Sequence, residues 1–245
     1  MKAVILAAGQ GTRIRSVHGE HPKCLIEVDN TTILDHQLDA LSMVGINDVA
    51  IVVGYEKEQI ISHANARTLL SPRIRFIENP AFAITNNIYS LWRALEWVGR
   101  ESFIVLNADV IFNPEILDVA VRPYAPISMI VDPLWRDETM KVAILDDHVI
   151  RMSKNISREE FSGTYIGITV FSKAIQDRFF HKMQDLIAAG RVNEFFNVAV
   201  QELANEGVPV GYTSTDGLPW AEIDDPVDLT FAQHSVFPQL ATAAV

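Results

Sequence analysis

The sequence predicts a three-layer α/β fold whose mostly parallel sheet continues into an antiparallel extension. In the first half of the 245-residue chain, short apolar runs alternate with helix-like segments, which is typical of parallel strands joined by right-handed crossovers. From residue 127 to about residue 171, strand-like runs instead follow one another with only short turns between them. We therefore expect one domain over residues 1–245, with residues 127–171 as a strand-rich subregion.

The first predicted strand, residues 4–7, runs directly into a glycine-rich turn. Gly9 and Gly11 allow the backbone to adopt positive φ and to approach a ligand closely. Successive backbone N–H groups in such a turn form a concave anion site, and Arg13 and Lys23 add positive charge beside it. The pattern matches neither the P-loop nor the dinucleotide fingerprint. It predicts a bound polyphosphate, and the alternative is a flexible surface turn.

Hydrophobic spacing and capping residues predict the remaining elements of the first half. Thr32 and Asp35 resemble a capping box, and Gly45 is the expected end of the same helix. The predicted strands are residues 48–53, 74–77 and 103–106, and the predicted helices are residues 32–44, 56–64, 86–98 and 114–122. Asn86 and Asn87 begin the third of these helices, where capping is the simpler of two interpretations.

Asp109 follows the fully apolar strand at residues 103–106. Ligands of open α/β sheets bind at the carboxyl ends of the strands, so an aspartate at this place is a candidate functional residue. The alternative is that Asp109 caps the next helix.

In the second half, Lys141 is the one cation inside an apolar strand. A buried lysine requires a partner or a function, and this makes Lys141 a candidate site residue. The predicted strands are residues 127–131, 140–145, 148–152, 165–171 and 210–213, and the predicted helices are residues 172–189, 193–206 and 226–235.

Composition limits the partners of the chain. The formal net charge of −11 argues against a nucleic-acid scaffold, which would carry a basic face. The single cysteine, Cys24, can form no disulfide within the chain, which fits a reducing cytoplasm. We interpret Cys24 as a small buried apolar residue, with a low-pKa thiol beside Lys23 as the alternative. The N-terminus does not resemble a signal peptide, and no apolar run approaches the ~20 residues that cross a bilayer. We expect a cytoplasmic protein without nucleic-acid or membrane partners.

Two stretches carry a family resemblance. Residues 6–13, Leu-Ala-Ala-Gly-x-Gly-Thr-Arg, followed by Pro-Lys at residues 22–23, resemble the signature of the sugar-phosphate nucleotidylyltransferases and their cytidylyltransferase relatives. Residues 22–25 (PKCL) and 87–91 (NIYSL) are most similar to the branch that acts on phosphocholine and small phosphonates. The resemblance implies a Rossmann-like nucleotidyltransferase fold and transfer of CMP from CTP to a small phosphonate or phosphate monoester, with release of pyrophosphate.

The resemblance also implies site residues. Asp109 and Asp224 would bind Mg²⁺, Arg13 would stabilise the pyrophosphate end, and Lys23 would bridge the α-phosphate and the incoming oxygen. Lys141 corresponds to lysines that contact the reacting phosphates in relatives. The expected nucleotide-binding residues are Leu6, Ala7, Ala8, Gly9, Gly11, Thr12, Arg13, Asn86 and Asn87.

The acceptor is the least constrained partner. A choline-like head group needs an aromatic cage, often with a carboxylate nearby, and the aromatic candidates include Trp220. Arg136 beside Trp135 would disfavour an ammonium, which favours a hydroxyalkyl or carboxyl-bearing phosphonate over phosphocholine. The expected acceptor-binding residues are Lys23, Tyr89, Trp135, Arg136, Lys141, Tyr165 and Glu222, with Glu138 as an alternative acid.

Two alternatives remain open at this point. One is a sugar-1-phosphate uridylyl- or thymidylyltransferase, and the other is a catalytically silent nucleotide-binding protein with a regulatory role. The combination of Arg13, Lys23, Asp109 and Asp224 counts against the silent protein. Thr164 stands where some cytidylyltransferases carry an acid, which leaves the identity of the acceptor open. The sequence leaves the oligomeric state open as well, a homodimer included.

Overall fold

The structure is a computed structural model that describes residues 1–67 and 72–242. The strands are β1 (Lys2–Ala7), β2 (Glu27–Val28), β3 (Thr31–Thr32), β4 (Asp48–Val53), β5 (Arg73–Glu78), β6 (Phe103–Asn107), β7 (Val110–Phe112), β8 (Ile127–Asp132), β9 (Lys141–Leu145), β10 (His148–Ser153), β11 (Gly163–Phe171), β12 (Val210–Ser214) and β13 (Trp220–Glu222).

The α-helices alternate with the first strands and cluster again after β11. They are α1 (Arg15–His18), α2 (Ile33–Met43), α3 (Lys57–Ala66), α4 (Asn87–Val98), α5 (Glu115–Ala120), α6 (Gln176–Ala188), α7 (Asn197–Asn205), α8 (Pro226–Phe231) and α9 (Phe237–Thr242). Short 3₁₀ turns span Thr12–Ile14, Lys23–Leu25 and Lys173–Ile175, and one π-helical turn spans Ala232–Val236.

One large sheet organises the described residues. Its main path runs β10-β9-β11-β6-β1-β4-β5, and β8 pairs with both β11 and β12. Strands β6, β1, β4 and β5 are parallel, whereas β11 pairs antiparallel with β6, β8 and β9. The predicted fold class, a parallel sheet with an antiparallel extension, is therefore confirmed.

Alternation along β1 explains the three layers. Val4 and Leu6 point into the core that α4, α6 and α7 cover, whereas Ala3, Ile5 and Ala7 point into the core beneath α2, α3 and α5. Side chains of a strand alternate between the two faces of a sheet, so a run that is apolar throughout is buried on both faces. A third apolar cluster packs the C-terminal helices against the 3₁₀ turns that flank the glycine turn.

The capping residues act largely as the sequence predicts. Thr32 accepts a hydrogen bond from the Asp35 N–H, and Asn86 caps α4. Asp225 caps α8 and forms a capping box with Asp228. The predicted helix at residues 193–206 is shorter, because regular helix begins only at Asn197.

The pairing of β7 with β13 was not predicted. Each strand has only three residues, which is too short for a periodic pattern. Val110 pairs antiparallel with Glu222, and Trp220 pairs with Phe112. Asp109 therefore precedes a strand and does not cap a helix. Within the described part of the chain, none of the helices combines the length and hydropathy that a membrane crossing would need.

Candidate active site

The candidate site lies at the carboxyl ends of β1 and β6, the edge at which open α/β sheets bind their ligands. Two adjoining cavities of about 250 Å³ each open there. One of them, the glycine-turn cavity, follows the glycine turn, and the other, the broader cavity, extends toward the antiparallel strands. The residues shared by the two linings are Leu6, Gly9, Arg13, Ala108, Asp109 and Asp224.

The glycine turn is shaped by two close approaches. Gly11 has φ +55°, and a Cβ at this position would lie 3.2 Å from Cβ of Lys23. Glycine at residue 11 suits both the positive φ and the close packing of the turn against Lys23. A Cβ at Gly9 would meet no atom within 4 Å, so this side of the turn is open to the cavity. The carbonyl of Ala8 accepts a hydrogen bond of 3.2 Å from the Tyr55 N–H, which fixes the start of the turn.

Lys23 joins two carboxylates from opposite ends of the chain. Its Nζ donates to Oδ2 of Asp109 at 2.8 Å and also to Oδ1 of Asp224. A guanidinium nitrogen of Arg13 lies 2.7 Å from the other oxygen of Asp224. Burial works to lower the pKa of Lys23, but the charges of Asp109 and Asp224 outweigh it and raise that pKa. Lys23 is therefore charged in the working pH range.

Asp224 is held in its ionised form by the same contacts. Burial alone would raise the pKa of this carboxyl, yet the charges and hydrogen bonds of Lys23 and Arg13 lower it. The result is an anion that balances two cations inside the cleft.

Asp109, Glu222 and Asp224 form a carboxylate cluster, each with an oxygen within 4.8 Å of the other two. Burial, and then the charges of Asp109 and Asp224, raise the pKa of Glu222 to about 8. Among the described residues, no hydrogen-bond partner reaches the buried Oδ1 of Asp109. Carboxylate oxygens with a free acceptor site are the donors that Mg²⁺ prefers, so the cluster fits a divalent cation.

Neighbouring elements hold these carboxylates in register. The Asp109 carbonyl accepts a hydrogen bond of 2.9 Å from the Ile223 N–H, beside the β7–β13 pair. The buried Gln37 side chain donates from Nε2 to the carbonyls of Asn107 and Val110, both at 2.8 Å. The turn that carries Asp109 is thus held in place by a side chain of helix α2 and by the backbone of the residue that follows β13.

The broader cavity brings together residues from both halves of the chain. Asn86 and Asn87 line it and also cap local structure: Asn86 accepts from the Asn87 N–H at 2.7 Å, and Asn87 accepts from the Phe196 N–H at 2.8 Å. Tyr165 and Glu222 line the same cavity. Capping and cavity lining are therefore compatible for the two asparagines.

Lys141 is buried at the start of β9, and it is not among the described residues that line either cavity. Its Nζ donates to the carbonyls of Thr139 at 3.1 Å and Lys154 at 3.4 Å, and it sits 4.6 Å from the ring centroid of Trp135. Of the residues described here, Lys154 and not Lys141 is the lysine of the strand-rich subregion that lines the cavity. Burial also lowers the pKa of Lys141, because desolvation penalises its charged form.

Three other predicted acceptor residues are engaged by partners within the protein. Arg136 stacks 4.3 Å from the Trp220 ring centroid, and Tyr89 packs 5.4 Å from Trp92. The indole of Trp135 is held by Asp137. Within the described ranges, neither cavity lining includes Tyr89, Trp135 or Arg136.

The lining also contains residues that the sequence did not single out. Lys154 follows β10, and Asn197 begins α7, so each looks like an ordinary surface or capping residue when read in sequence. The others on the side of the antiparallel strands are Thr139, Met140, Gly167 and Phe195, and on the side of the glycine turn Asn79, Phe82 and Thr85; Glu138, which the sequence offered as an alternative acid, lines the same cavity.

Cys24 lines the glycine-turn cavity but is almost fully buried. Burial raises the pKa of its thiol to about 12. This agrees with its interpretation as a small apolar residue, because the reactive form of cysteine is the thiolate.

Comparison with known proteins identifies relatives of this chain and of its fold. Residues 3–160, more than half of the chain, match the family model described as a MobA-like NTP transferase domain. A protein from Campylobacter jejuni named CTP:phosphoglutamine cytidylyltransferase is 25% identical over 191 residues, which cover 70% of this chain and 73% of that protein.

A relative from Streptomyces rubellomurinus is named CMP-5'-(3-aminopropyl)phosphonate synthase. It is 27% identical over an alignment of 250 residues that covers 97% of this chain but only 39% of the relative, so this chain spans less than half of that protein. The solved structure of a CTP:phosphocholine cytidylyltransferase from Streptococcus pneumoniae superposes with a TM-score of 0.77 at 23% identity. The match covers 95% of this chain and 97% of that one, and it shows a shared fold.

Proposed function

Because the chain belongs to the family of MobA-like NTP transferase domains, we propose that it transfers CMP from CTP to a small phosphonate or phosphate monoester. The observation that carries this proposal is the cluster of Arg13, Lys23, Asp109 and Asp224 between the two cavities. It concentrates cations and carboxylates at the strand ends of a protein whose net charge is −11.

The reaction forms one phosphorus–oxygen bond and breaks another. An anionic oxygen of the acceptor attacks the α-phosphorus of CTP, and the bond to the bridging oxygen of the pyrophosphate breaks. Pyrophosphate leaves with the electron pair of that bond. Because the acceptor oxygen is already ionised, no general base is required, and catalysis rests on positioning and on charge stabilisation in the transition state.

The glycine turn and the residues near it would bind the nucleotide. Backbone N–H groups of residues 8–12 would cradle CTP, and Arg13 would stabilise the leaving pyrophosphate. Lys23, held between Asp109 and Asp224, would bridge the α-phosphate and the attacking oxygen. Asn86 and Asn87 would contact the nucleoside from the broader cavity.

The carboxylate cluster would hold the metal. Asp109 and Asp224 would bind Mg²⁺, and the free Oδ1 of Asp109 supports this assignment. The ion would neutralise charge on the triphosphate. Glu222, whose raised pKa keeps it largely protonated near pH 7, would be a third metal ligand only when its carboxyl is ionised.

The acceptor would bind in the broader cavity beside the antiparallel strands. Lys154 lines this cavity, so we assign it the acceptor-side role that the sequence had suggested for Lys141. Tyr165 and Glu222 lie on the same wall. The names of the Campylobacter and Streptomyces relatives both specify a cytidyl group and a small phosphorylated or phosphonate partner, which supports CTP and a small acceptor here.

A pyrophosphate-release assay tests the proposal. CTP, UTP, dTTP, ATP and GTP are each combined, in the presence of Mg²⁺, with 2-hydroxyethylphosphonate, 2-aminoethylphosphonate, phosphonoformate, phosphocholine and glucose 1-phosphate. We expect release that depends on CTP and on one of the small acceptors. Preferred use of UTP or dTTP with glucose 1-phosphate would favour a sugar-nucleotide enzyme instead. No release with any pair would favour the silent nucleotide-binding protein.

A further inference from the structure

The exposure and the existing partners of the aromatic side chains limit which head group the acceptor can carry. A quaternary ammonium donates no hydrogen bond, and proteins recognise it through the faces of several aromatic rings. Such rings must be accessible to the ligand and free of other cations. The aromatic residues that the sequence offered for this purpose are Tyr89, Trp135, Tyr165 and Trp220.

Trp135 is already surrounded by cations of the chain itself. Nζ of Lys141 lies 4.6 Å from its ring centroid, and the guanidinium carbon of Arg158 lies 4.0 Å from it. Its indole N–H donates to Asp137 at 2.7 Å, and Phe161 packs against the ring at 4.9 Å. A third cation at this ring would be repelled by the two that are present.

Trp220 and Tyr165 are buried in the protein. Trp220 is 2% exposed, donates from its indole to Asp132 at 2.8 Å, and has Arg136 stacked on its ring. Tyr165 is 4% exposed, and its hydroxyl is paired with Thr169 at 2.9 Å. Trp220 offers no free face to a ligand, and Tyr165, although it lines the broader cavity, is too buried to form the wall of an aromatic cage.

Two phenylalanines line the broader cavity, and neither replaces the missing cage. Phe195 is 40% exposed, but Nζ of Lys154 lies 5.7 Å from its ring centroid, so a cation of the chain is already paired with it. Phe82 packs against Gly54, where a Cβ would lie 2.7 Å from Cβ of Phe82 and 2.9 Å from the Ala8 carbonyl oxygen, so this ring lies on the side of the glycine turn. A trimethylammonium at Phe195 would therefore meet the Lys154 ammonium, and Phe82 lies on the nucleotide side of the cleft.

The same wall of the cavity is rich in hydrogen-bonding groups. Glu138, Thr139, Lys154 and Asn197 supply a carboxylate, a hydroxyl, an ammonium and an amide. We propose that the acceptor ends in a small head group that forms hydrogen bonds, such as a hydroxyl or a primary amine, and that the site discriminates against a quaternary ammonium. This inference rests on the proposed function, because it concerns the acceptor of the same reaction.

A methylation series tests it. Phosphoethanolamine, its N-methyl and N,N-dimethyl derivatives and phosphocholine share one positive charge and one chain length, but each methyl group removes an N–H donor. With CTP and Mg²⁺, we expect kcat/KM to fall at each step, by about tenfold or more across the series, which corresponds to the loss of one charge-assisted hydrogen bond. A flat series, or one that rises toward phosphocholine, would overturn the inference.

Two variants locate the effect. Glu138→Gln removes the carboxylate from the cavity wall, and we expect it to reduce the preference for the primary amine over phosphocholine at least threefold. Trp135→Leu removes a ring that lies outside the cavity, and we expect the same preference as in the unaltered protein. If Trp135→Leu selectively abolished the use of phosphocholine, Trp135 would be a cage residue and the inference would be wrong.

The inference and the proposed function fail in different ways. If CMP is transferred to phosphocholine best of all, only the assignment of the head group fails. If CMP is transferred to no member of the series and to neither 2-hydroxyethylphosphonate nor 2-aminoethylphosphonate, the proposed function fails and the inference falls with it.

Discussion

The nucleotide side and the acceptor side of the cleft are built in different ways. The glycine-turn cavity draws nearly all of its lining from one continuous stretch, residues 6–24, together with Asp109 and Asp224. The acceptor side of the broader cavity is assembled from separate segments of the chain, at residues 138–140, 154, 165–167 and 195–197. One stretch of the chain thus supplies most of the first region, which long-range ion pairs to Asp109 and Asp224 complete, whereas packing of the antiparallel strands and α7 shapes the second.

This difference suggests a division of labour. Under the proposed function, phosphate chemistry is the same for every acceptor, and a compact group of cations and carboxylates linked by short ion pairs would serve it. Selectivity for the acceptor depends on which side chains the packing leaves free at the cavity wall. Substitutions on the nucleotide side should therefore affect every substrate pair alike, whereas those on the acceptor side should change the ranking of acceptors.

The largest effect is expected at the two aspartates. Asp109→Asn and Asp224→Asn each keep the shape of the side chain but remove a charge from the carboxylate cluster. We expect turnover to fall by ~10²–10³ or more with all acceptors, because a group that stabilises charge in the transition state is lost. Steady-state kinetics across Mg²⁺ concentrations measures this. Turnover near that of the unaltered protein in either variant would remove that residue from the metal site.

The next effect concerns Lys23, which lies on the nucleotide side. Lys23→Met should lower kcat much more than it raises KM for CTP, since an interaction made mainly in the transition state affects kcat. A drop of about 10²-fold in kcat is expected. The variant also leaves Asp109 and Asp224 without their shared cation, so unfolding in urea should be measured beside the kinetics. A rise in KM alone would make Lys23 a ground-state nucleotide contact.

Two lysines of the acceptor side form a matched pair. Lys154→Met should lower kcat/KM for the acceptor by about tenfold or more while leaving KM for CTP nearly unchanged. Lys141→Met should have a smaller effect on activity, because Lys141 is not among the described residues that line the cavity and meets its wall through hydrogen bonds to the backbone carbonyls of Thr139 and Lys154. Comparable kinetic losses in the two variants would contradict this arrangement of the cavity wall.

The smallest effect concerns Glu222, where the two sides meet. Its pKa is raised from 4.5 to about 8, so the folded state retains a proton that the unfolded state releases. Stability from this group is therefore greatest below about pH 4.5 and is lost as the pH rises toward 8. In EDTA, Glu222→Gln should flatten the decline of the urea midpoint between these pH values. Glu138→Gln, an exposed control, should not. Equal slopes in all three proteins would contradict the raised pKa.

The sequence was most informative where one local pattern decides the structure. The apolar run in β1, the glycine turn and the caps at Thr32 and Asn86 all lie where the sequence predicted them. The short β7–β13 pair was missed, although it brings Asp109 beside Asp224, because strands of three residues carry no periodic signal.

On the acceptor side, residue type was a poor guide to role. Lys141 and Trp135 have the chemistry of site residues, but their partners are supplied by packing that no local pattern encodes. Lys154 and Asn197 have no distinctive sequence context and nevertheless line the cavity. Which of two neighbouring lysines faces a ligand depends on the register of β9 and β10, which is a property of the folded sheet.

The proposed function requires that an oxygen of the acceptor attacks the α-phosphorus of CTP. An isotope experiment tests this step. The acceptor that supports pyrophosphate release is prepared with ¹⁸O in every oxygen bonded to phosphorus and is incubated with unlabelled CTP and Mg²⁺. Mass spectrometry then follows the label. The account predicts that a CMP conjugate retains all of the ¹⁸O and that the released pyrophosphate contains none. A phosphorylated or pyrophosphorylated acceptor, with release of CDP or CMP, would place the attack at another phosphorus and contradict the account.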